Sequence, residues 1–366
     1  MTAPDRRAIE VAIGDLADPE TGRPIGETGQ IRSIDLSHDG TIRVVLGLTT
    51  HSSMLWRVVS GRVEELLRAR FPTVAVEVVV EVFDRAPPKL GQIGLEAKTV
   101  IAVGSGKGGV GKSTIATAIA IGLARAGSRT GLLDADVYGP SVPHLLGLSG
   151  RPQIEDGKIV PVRLSIDRAG SGSALLPVMS MGFMVPPGEA VVWRGPMLHG
   201  AITQMLRDTA WGPLDYLVID MPPGTGDIAL SLSQVLPLTG AVVVCTPQDV
   251  ALLDAMKAIA MFRKVNIPLL GMVENMSYFA CPDTGKRYDI FGTGGAKRTA
   301  AVFDIRFLGE VPIQIPIREH GDAGRSSANY DDPATRPYLE AICERLVTGL
   351  AASVASRPPL PSLPVL

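Results

Sequence analysis

The residues with the most chemical capability lie at 106–113, Gly106-Lys107-Gly108-Gly109-Val110-Gly111-Lys112-Ser113. Their spacing, G-x-x-x-x-G-K-[ST], is that of a phosphate cradle. Glycines let backbone N–H groups converge on phosphate oxygens, and a helix starting directly after them aims its positive end at the same point. In that setting Lys112 reaches the β- and γ-phosphates and the Ser113 hydroxyl ligates Mg²⁺. Four fixed positions of this kind arise by chance in about one chain in a hundred of this length. The nucleotide-contacting candidates are therefore Gly106, Lys107, Gly108, Gly109, Val110, Gly111, Lys112, Ser113 and Thr114.

Further acidic and amide groups fall at the ends of apolar runs. Thr130–Leu133 leads into Asp134-Ala135-Asp136, and Tyr216–Ile219 into Asp220 and the segment Met221-Pro222-Pro223-Gly224-Thr225-Gly226-Asp227. Carboxylates at the carboxyl ends of buried strands sit where open α/β sheets bind ligands, and four hydrophobics ending in Asp supply a second carboxylate for Mg²⁺. Asn275 follows the run Leu269–Glu274, where an amide can read an adenine edge or serve packing. Arg194, in Trp193-Arg194-Gly195-Pro196-Met197, faces a phosphate, a partner subunit or solvent. Cys281 opens Cys281-Pro282-Asp283-Thr284, in which Thr284 stands where a second cysteine would complete a metal-binding pair. Cys245 and Cys343 lie within apolar patterns and read as core, and His51 reads as a capping or surface residue.

The elements that must position these groups alternate. Val100–Val103 is a β-branched run expected as a buried strand, and Ser113–Ala126 a helix stopped by Gly127. From Lys98 onward strands and helices take turns, with strands at 241–245 and 269–274 and helices at 251–264 and 338–350, which predicts an α/β fold with a doubly wound, mainly parallel sheet. Residues 4–83 read as a separate small α/β domain. It has a helix from Arg7 to Leu16, strands at 29–36 and 41–48 joined through His38-Asp39-Gly40, a helix at 53–70 and a strand at 74–82. Residues 84–97, DRAPPKLGQIGLEA, break both periodicities and are expected to be a linker between this domain and the phosphate-cradle domain at 98–355. The tail at 356–366 is proline-rich and not helical.

The 366 residues carry 35 basic and 37 acidic side chains, a formal net charge of −2, so charge balance predicts neither a nucleic-acid nor a membrane partner. The first residues, MTAPDRRAIE, hold no apolar h-region, and three widely spaced cysteines fit a reducing, cytoplasmic setting. The lysine–arginine pairs 286–287 and 297–298 are too scattered for a DNA-binding patch. The proline-broken tail is unlike a membrane-docking helix, and no N-K-x-D motif selects guanine.

Taken together, GKGGVGKS with its additional Lys107, LLDADVYGPSVPHLLG, WRGPM, DMPPGTGD, ENMSYFACP and DIFGTGGA resemble the Mrp-type iron–sulfur cluster carrier ATPases, within the larger group that includes MinD and ParA. The first 83 residues, through their DPE…LTT wording, resemble a small iron–sulfur-assembly domain. Its relatives often carry a reactive cysteine where this chain has His51-Ser52-Ser53. The resemblance implies an ATPase that works as a homodimer and assembles or delivers clusters to apoproteins. It implies that Lys107 reaches across to the partner's nucleotide and that Lys112 binds phosphates. Ser113, Asp134 and Asp220 are then placed around Mg²⁺, Asp136 orients the attacking water, and Asn275 contacts adenine. The cluster implied is [4Fe–4S], held across the dimer by paired CxxC motifs, of which this chain keeps Cys281. Two outcomes stay open: a cluster with Cys281 from both subunits and other groups completing it, or a nucleotide-switched partner-binding ATPase without one.

Overall fold

A computed structural model of the chain describes residues 5–37, 40–137, 139–170, 172–184, 195–224 and 226–356. Two compact units emerge, Met1–Arg85 with Val347–Leu366, and Ala86–Leu346.

The first unit begins with α1 (Arg6–Ile13), whose Asp5 cap accepts the Ala8 N–H at 2.6 Å and whose Ile9 and Ile13 are buried. Strands β1 (Ile31–Leu36) and β2 (Ile42–Leu48) pair antiparallel, with Leu36 opposite Ile42. The expected turn residues His38 and Asp39 lie outside the described residues. Helix α2 (Trp56–Arg70) buries Val59, Val63 and Leu67, the one-face spacing of an amphipathic helix. It starts later than Ser53 because Thr50–Leu55 forms a 3₁₀ turn with a non-helical Ser52, and the Trp56 indole N–H donates to the Thr49 carbonyl at 3.0 Å. Strand β3 (Val76–Val82) runs parallel to β2 and completes a sheet of order β1-β2-β3.

The second unit opens with β4 (Lys89–Leu90) and β5 (Leu95–Gly104), followed by α3 (Lys112–Arg125), β6 (Thr130–Asp134) and α4 (Val142–Leu146). A small hairpin of β7 (Gln153–Glu155) and β8 (Lys158–Val160) precedes β9 (Val162–Asp167) and β10 (Ser173–Ser180). Then come α5 (Gly195–Asp208), β11 (Leu214–Asp220), α6 (Gly226–Val235), β12 (Gly240–Cys245) and α7 (Asp249–Lys264). The last elements are β13 (Leu269–Ala280), β14 (Arg287–Tyr288), α8 (Gly295–Val302), β15 (Phe307–Ile313), α9 (Ile315–Asp322) and α10 (Arg336–Ala355). Among the described residues the main sheet has the order β14-β13-β12-β5-β11-β6-β10-β9, with β15 on β13 and β4 on β5.

From β13 to β10 the neighbours are parallel, and the strands are buried on both faces, as parallel sheets require. The parallel pattern stops at the margins, where β9 and β14 pair antiparallel, and β4 pairs antiparallel with the start of β5. Within the 84–97 stretch Gly91 and Gly94, both at positive φ, turn Lys89–Leu90 back onto the start of β5. Two expectations are corrected. The strand expected to end at Glu274 continues to Ala280. The last helix is longer at both ends than residues 338–350, and its final part groups with the first unit.

This strand order positions the site. From β5 the chain fills one side through β6 and β11, then crosses to β12 on the other side. The loop after β5 therefore lies at the switch point where open sheets bind ligands.

Candidate functional site

The loop after β5 is shaped by its glycines. Gly109 and Gly111 have φ of +78° and +80°, the left-handed region a side chain resists, and Gly111 leads directly into α3 at Lys112. A Cβ on Gly106 would strike the Asp254 carbonyl of α7, so that position also excludes a side chain. Val110 is buried, as are Ile115 through Ala124 of α3, which fixes the helix N-terminus against the sheet. Backbone amides and a helix start thus converge beside Lys112, Ser113 and Thr114, an arrangement that binds phosphate.

The carboxylates arrive on neighbouring strands. Asp220 ends β11 and stands in register with Asp134 at the end of β6 and Val103 of β5. Lys112 Nζ is 2.6 Å from Asp220 Oδ1, 3.8 Å from Asp136 Oδ2 and 3.1 Å from Ser113 Oγ. All three charged groups are buried. Burial pushes the Asp220 carboxyl above its ordinary range, and the Lys112 ammonium only partly opposes this. Asp220 Oδ2 is buried without a hydrogen-bond partner. That orphaned oxygen and the Ser113 hydroxyl are hard donors suited to Mg²⁺, and among the described residues no cluster of three or more His, Cys, Asp or Glu offers a self-sufficient metal cage. A divalent ion here would thus take its remaining ligands from phosphate and water.

The Asp134 carboxylate braces its own loop. Its Oδ1 accepts the Asp136 N–H at 3.1 Å. Its Oδ2 accepts the Val142 N–H at 3.2 Å and the Ser180 hydroxyl at 3.0 Å. Burial, then the nearby Asp220 charge, pushes it up to about 7 against those hydrogen bonds. The loop it braces carries Asp136, whose Oδ1 accepts the Gly139 N–H at 3.2 Å. No local pattern in the sequence points to Ser180, because its strand, β10, meets β6 only through long-range pairing.

Lys107 is half-buried and, among the described residues, makes no ion pair, so its ammonium is available to a ligand. The Asn275 side-chain amide donates to the Val110 carbonyl of the phosphate loop at 2.9 Å. Arg194 lies outside the described residues. Cys281 sits on the hairpin turn beyond β13, where its N–H donates to Lys286 O at 2.9 Å and its carbonyl accepts the Gly285 N–H at 2.8 Å. Hydrogen bonds from the Thr284 hydroxyl and from the Thr284 and Asp283 amides hold its thiol below the usual range. Cys245 and Cys343 are buried, and burial pushes each up to about 12, so both are inert core thiols. His51 is buried beneath the 3₁₀ turn of the first unit rather than on its surface.

A parallel α/β sheet with a glycine loop at its switch point, lysine at the following helix start and Asp at the next strand end defines a P-loop NTPase. The sequence pattern of the family described as NUBPL iron-transfer P-loop NTPase matches residues 96–347, and that of the iron–sulfur cluster assembly proteins matches residues 6–80. The chain belongs to this family of iron-transfer P-loop NTPases, with an assembly-type domain before it. It is similar to the iron–sulfur cluster carrier protein of Deinococcus radiodurans, at 43% identity over 96% of this chain and 95% of that one. It is also similar to the iron–sulfur cluster carrier protein of Synechocystis, at 38% identity over 96% and 97%. A solved nucleotide-binding protein from Archaeoglobus fulgidus, in complex with ADP, shares 40% identity. It covers 65% of this chain and 90% of its own, with a TM-score of 0.55.

Proposed function

We propose that this protein is an ATP-dependent carrier that assembles iron–sulfur clusters or delivers them to apoproteins, acting as a homodimer. The observation that carries the reading is the loop itself. Lys112 is buried on Asp220 and Asp136 at the mouth of a glycine cradle, in a chain similar along almost its whole length to iron–sulfur carriers. The family relationship favours this over a partner-binding switch without a cluster.

Gly106 through Thr114 bind the triphosphate of ATP. As phosphate oxygens enter, Lys112 exchanges part of its contact with Asp220 for them, placing positive charge where negative charge grows. Ser113 and Asp220 would hold Mg²⁺, which would supply positive charge to the phosphates. Asp136, fixed by the loop that Asp134 and Ser180 brace, orients a water for in-line attack on the γ-phosphorus. The bond to the β,γ-bridging oxygen breaks, and ADP and phosphate leave. Lys107 extends to the partner subunit's nucleotide, tying hydrolysis to dimer closure. Asn275 holds the loop through the Val110 carbonyl and contacts the adenine. The cluster is cargo: Cys281, its thiol held below the usual range by the Thr284 and Asp283 hydrogen bonds, supplies one ligand per subunit, and the two subunits together supply two. Three unpaired thiols suit a reducing cytoplasm.

Anaerobic reconstitution followed by iron and sulfide analysis tests the cargo. Wild type retains both elements and Cys281→Ala loses most of each. Equal, near-zero iron in the two would overturn cluster carriage by this thiol.

A further inference from the structure

Strand β13 runs from the phosphate loop to the thiol turn, and it is irregular between the two. The Asn275 amide grips the Val110 carbonyl across 165 residues of sequence. Gly111, one residue further along the loop, is packed so closely that a Cβ there would run into the same amide. The next residue on the strand, Met276, has φ of +54°, which an L side chain adopts only where its surroundings insist. Ser277 follows, fully buried, with a hydroxyl that has no hydrogen-bond partner. The pairing with β15 slips between Asn275 and Phe279.

Beyond this stretch the chain is firmly tied again. Phe279 and Ala280 pair with Tyr288 and Arg287, and backbone bonds fasten Cys281 to Lys286 and Gly285. The Arg287 guanidinium lies 3.9 Å over the Tyr278 ring, whose hydroxyl is 3.0 Å from that of Tyr338. A regular strand would bridge loop and thiol as one stiff rod. Here two stiff ends flank a left-handed residue and an orphaned hydroxyl, both of which another backbone arrangement would relieve. Coupling between two sites requires a segment with a second packing close in energy, and these are features that a second packing would relieve.

We propose that Asn275 is a positioning residue that couples nucleotide in the phosphate loop to the Cys281 turn, with Met276–Ser277 as the segment that changes. The inference rests on the reading that the loop binds nucleotide. Phosphates drawing on the Val110–Gly111 backbone favour one strength of the Asn275 contact over the other. Met276 and Ser277 repack accordingly, and the hairpin bearing Cys281 moves as a unit. Linkage makes the effect reciprocal, so a group attached to Cys281 alters nucleotide affinity by the same factor.

The test uses the full chain and iodoacetamide, from which a thiolate displaces iodide to form a thioether. Cys245 and Cys343 are buried, so the native rate reports Cys281 alone. The rate is measured by mass spectrometry with and without saturating Mg–ADP, whose binding is established separately by calorimetry. We expect ADP to change the wild-type rate by about fivefold or more, and Asn275→Ala, saturated with ADP, to respond by less than half of that. Met276→Gly, which relieves the left-handed residue and leaves the amide in place, should likewise lose most of the response. ADP bound with an unchanged wild-type rate would overturn the coupling alone. No ADP binding in wild type would overturn the nucleotide reading and the coupling with it. A full response in Asn275→Ala would remove Asn275 from the path. Should that variant fail to fold or to bind, a full response in Met276→Gly overturns the proposal.

Discussion

Lys112 illustrates how one buried cation serves both stability and chemistry. Its contact with Asp220 at 2.6 Å partly offsets the upward push that burial gives that carboxyl. Removing it therefore has two effects. Lys112→Ala should slow ATP hydrolysis by about 10²–10³-fold, the usual cost of losing one group that stabilises transition-state charge, read as phosphate release at saturating Mg–ATP. It should also leave Asp220 uncompensated, and wild-type turnover in that variant would refute the assignment. Asp136 differs, since among the described residues its carboxylate meets the phosphate loop through Lys112 at 3.8 Å and otherwise accepts the Gly139 N–H. Asp136→Asn should keep ADP affinity within about fivefold while hydrolysis falls, the signature of a group used mainly in the transition state. Parallel loss of binding would move Asp136 from water orientation to phosphate binding.

Elements decide which residues meet, and here the sequence was legible in an uneven way. The phosphate loop could be read because everything that defines it is local: glycine spacing, a β-branched run before, a small-residue helix after. The ends of β6 and β11 could be read because apolar runs stop at Asp. Contacts between distant segments could not. Ser180 reaches Asp134 from a strand with no periodic signature, and Asn275 meets Val110 only because β13 lies beyond β12 and α3 starts where it does. Gly111→Ala probes that junction. The added Cβ meets both an unfavourable φ and the Asn275 amide, so nucleotide affinity should fall by at least about tenfold, measured by calorimetry.

In the first unit the polar centre is Asp18, bonded to Thr21, Gln30 and Arg85. Burial pushes its carboxyl up, yet the Thr21, Arg85 and Gln30 bonds and the Arg85 charge outweigh that and hold it below its ordinary value. A depressed carboxylate stabilises the fold above its unfolded pKa of about 3.9, and that contribution disappears as pH falls through the folded value. Asp18→Asn should therefore lose hydrogen-exchange protection over residues 18–30 near neutral pH. The gap to wild type should narrow below about pH 4; a gap that is constant with pH would deny the carboxylate this role.

At the scale of the whole molecule, the proposed function requires hydrolysis, dimerisation and cluster carriage to work together. Lys107 is the group that separates them, because its ammonium has no ion-pair partner among the described residues while Lys112 is fully engaged. Lys107→Ala should bind Mg–ATP nearly as wild type does yet hydrolyse it slowly, and ATP should no longer shift its sedimentation toward the dimer. Equal loss of binding and hydrolysis would place this lysine in its own subunit's site. The most direct measurement of the central claim is transfer. Protein loaded with iron and sulfide without oxygen is mixed with an apo-enzyme that needs a [4Fe–4S] cluster, with and without Mg–ATP. The account predicts that the apo-enzyme gains activity in proportion to iron lost by the carrier, at a rate that ATP changes and that Cys281→Ala abolishes. Iron retained by the carrier with no gain in activity, or transfer of equal extent from Cys281→Ala, would contradict it.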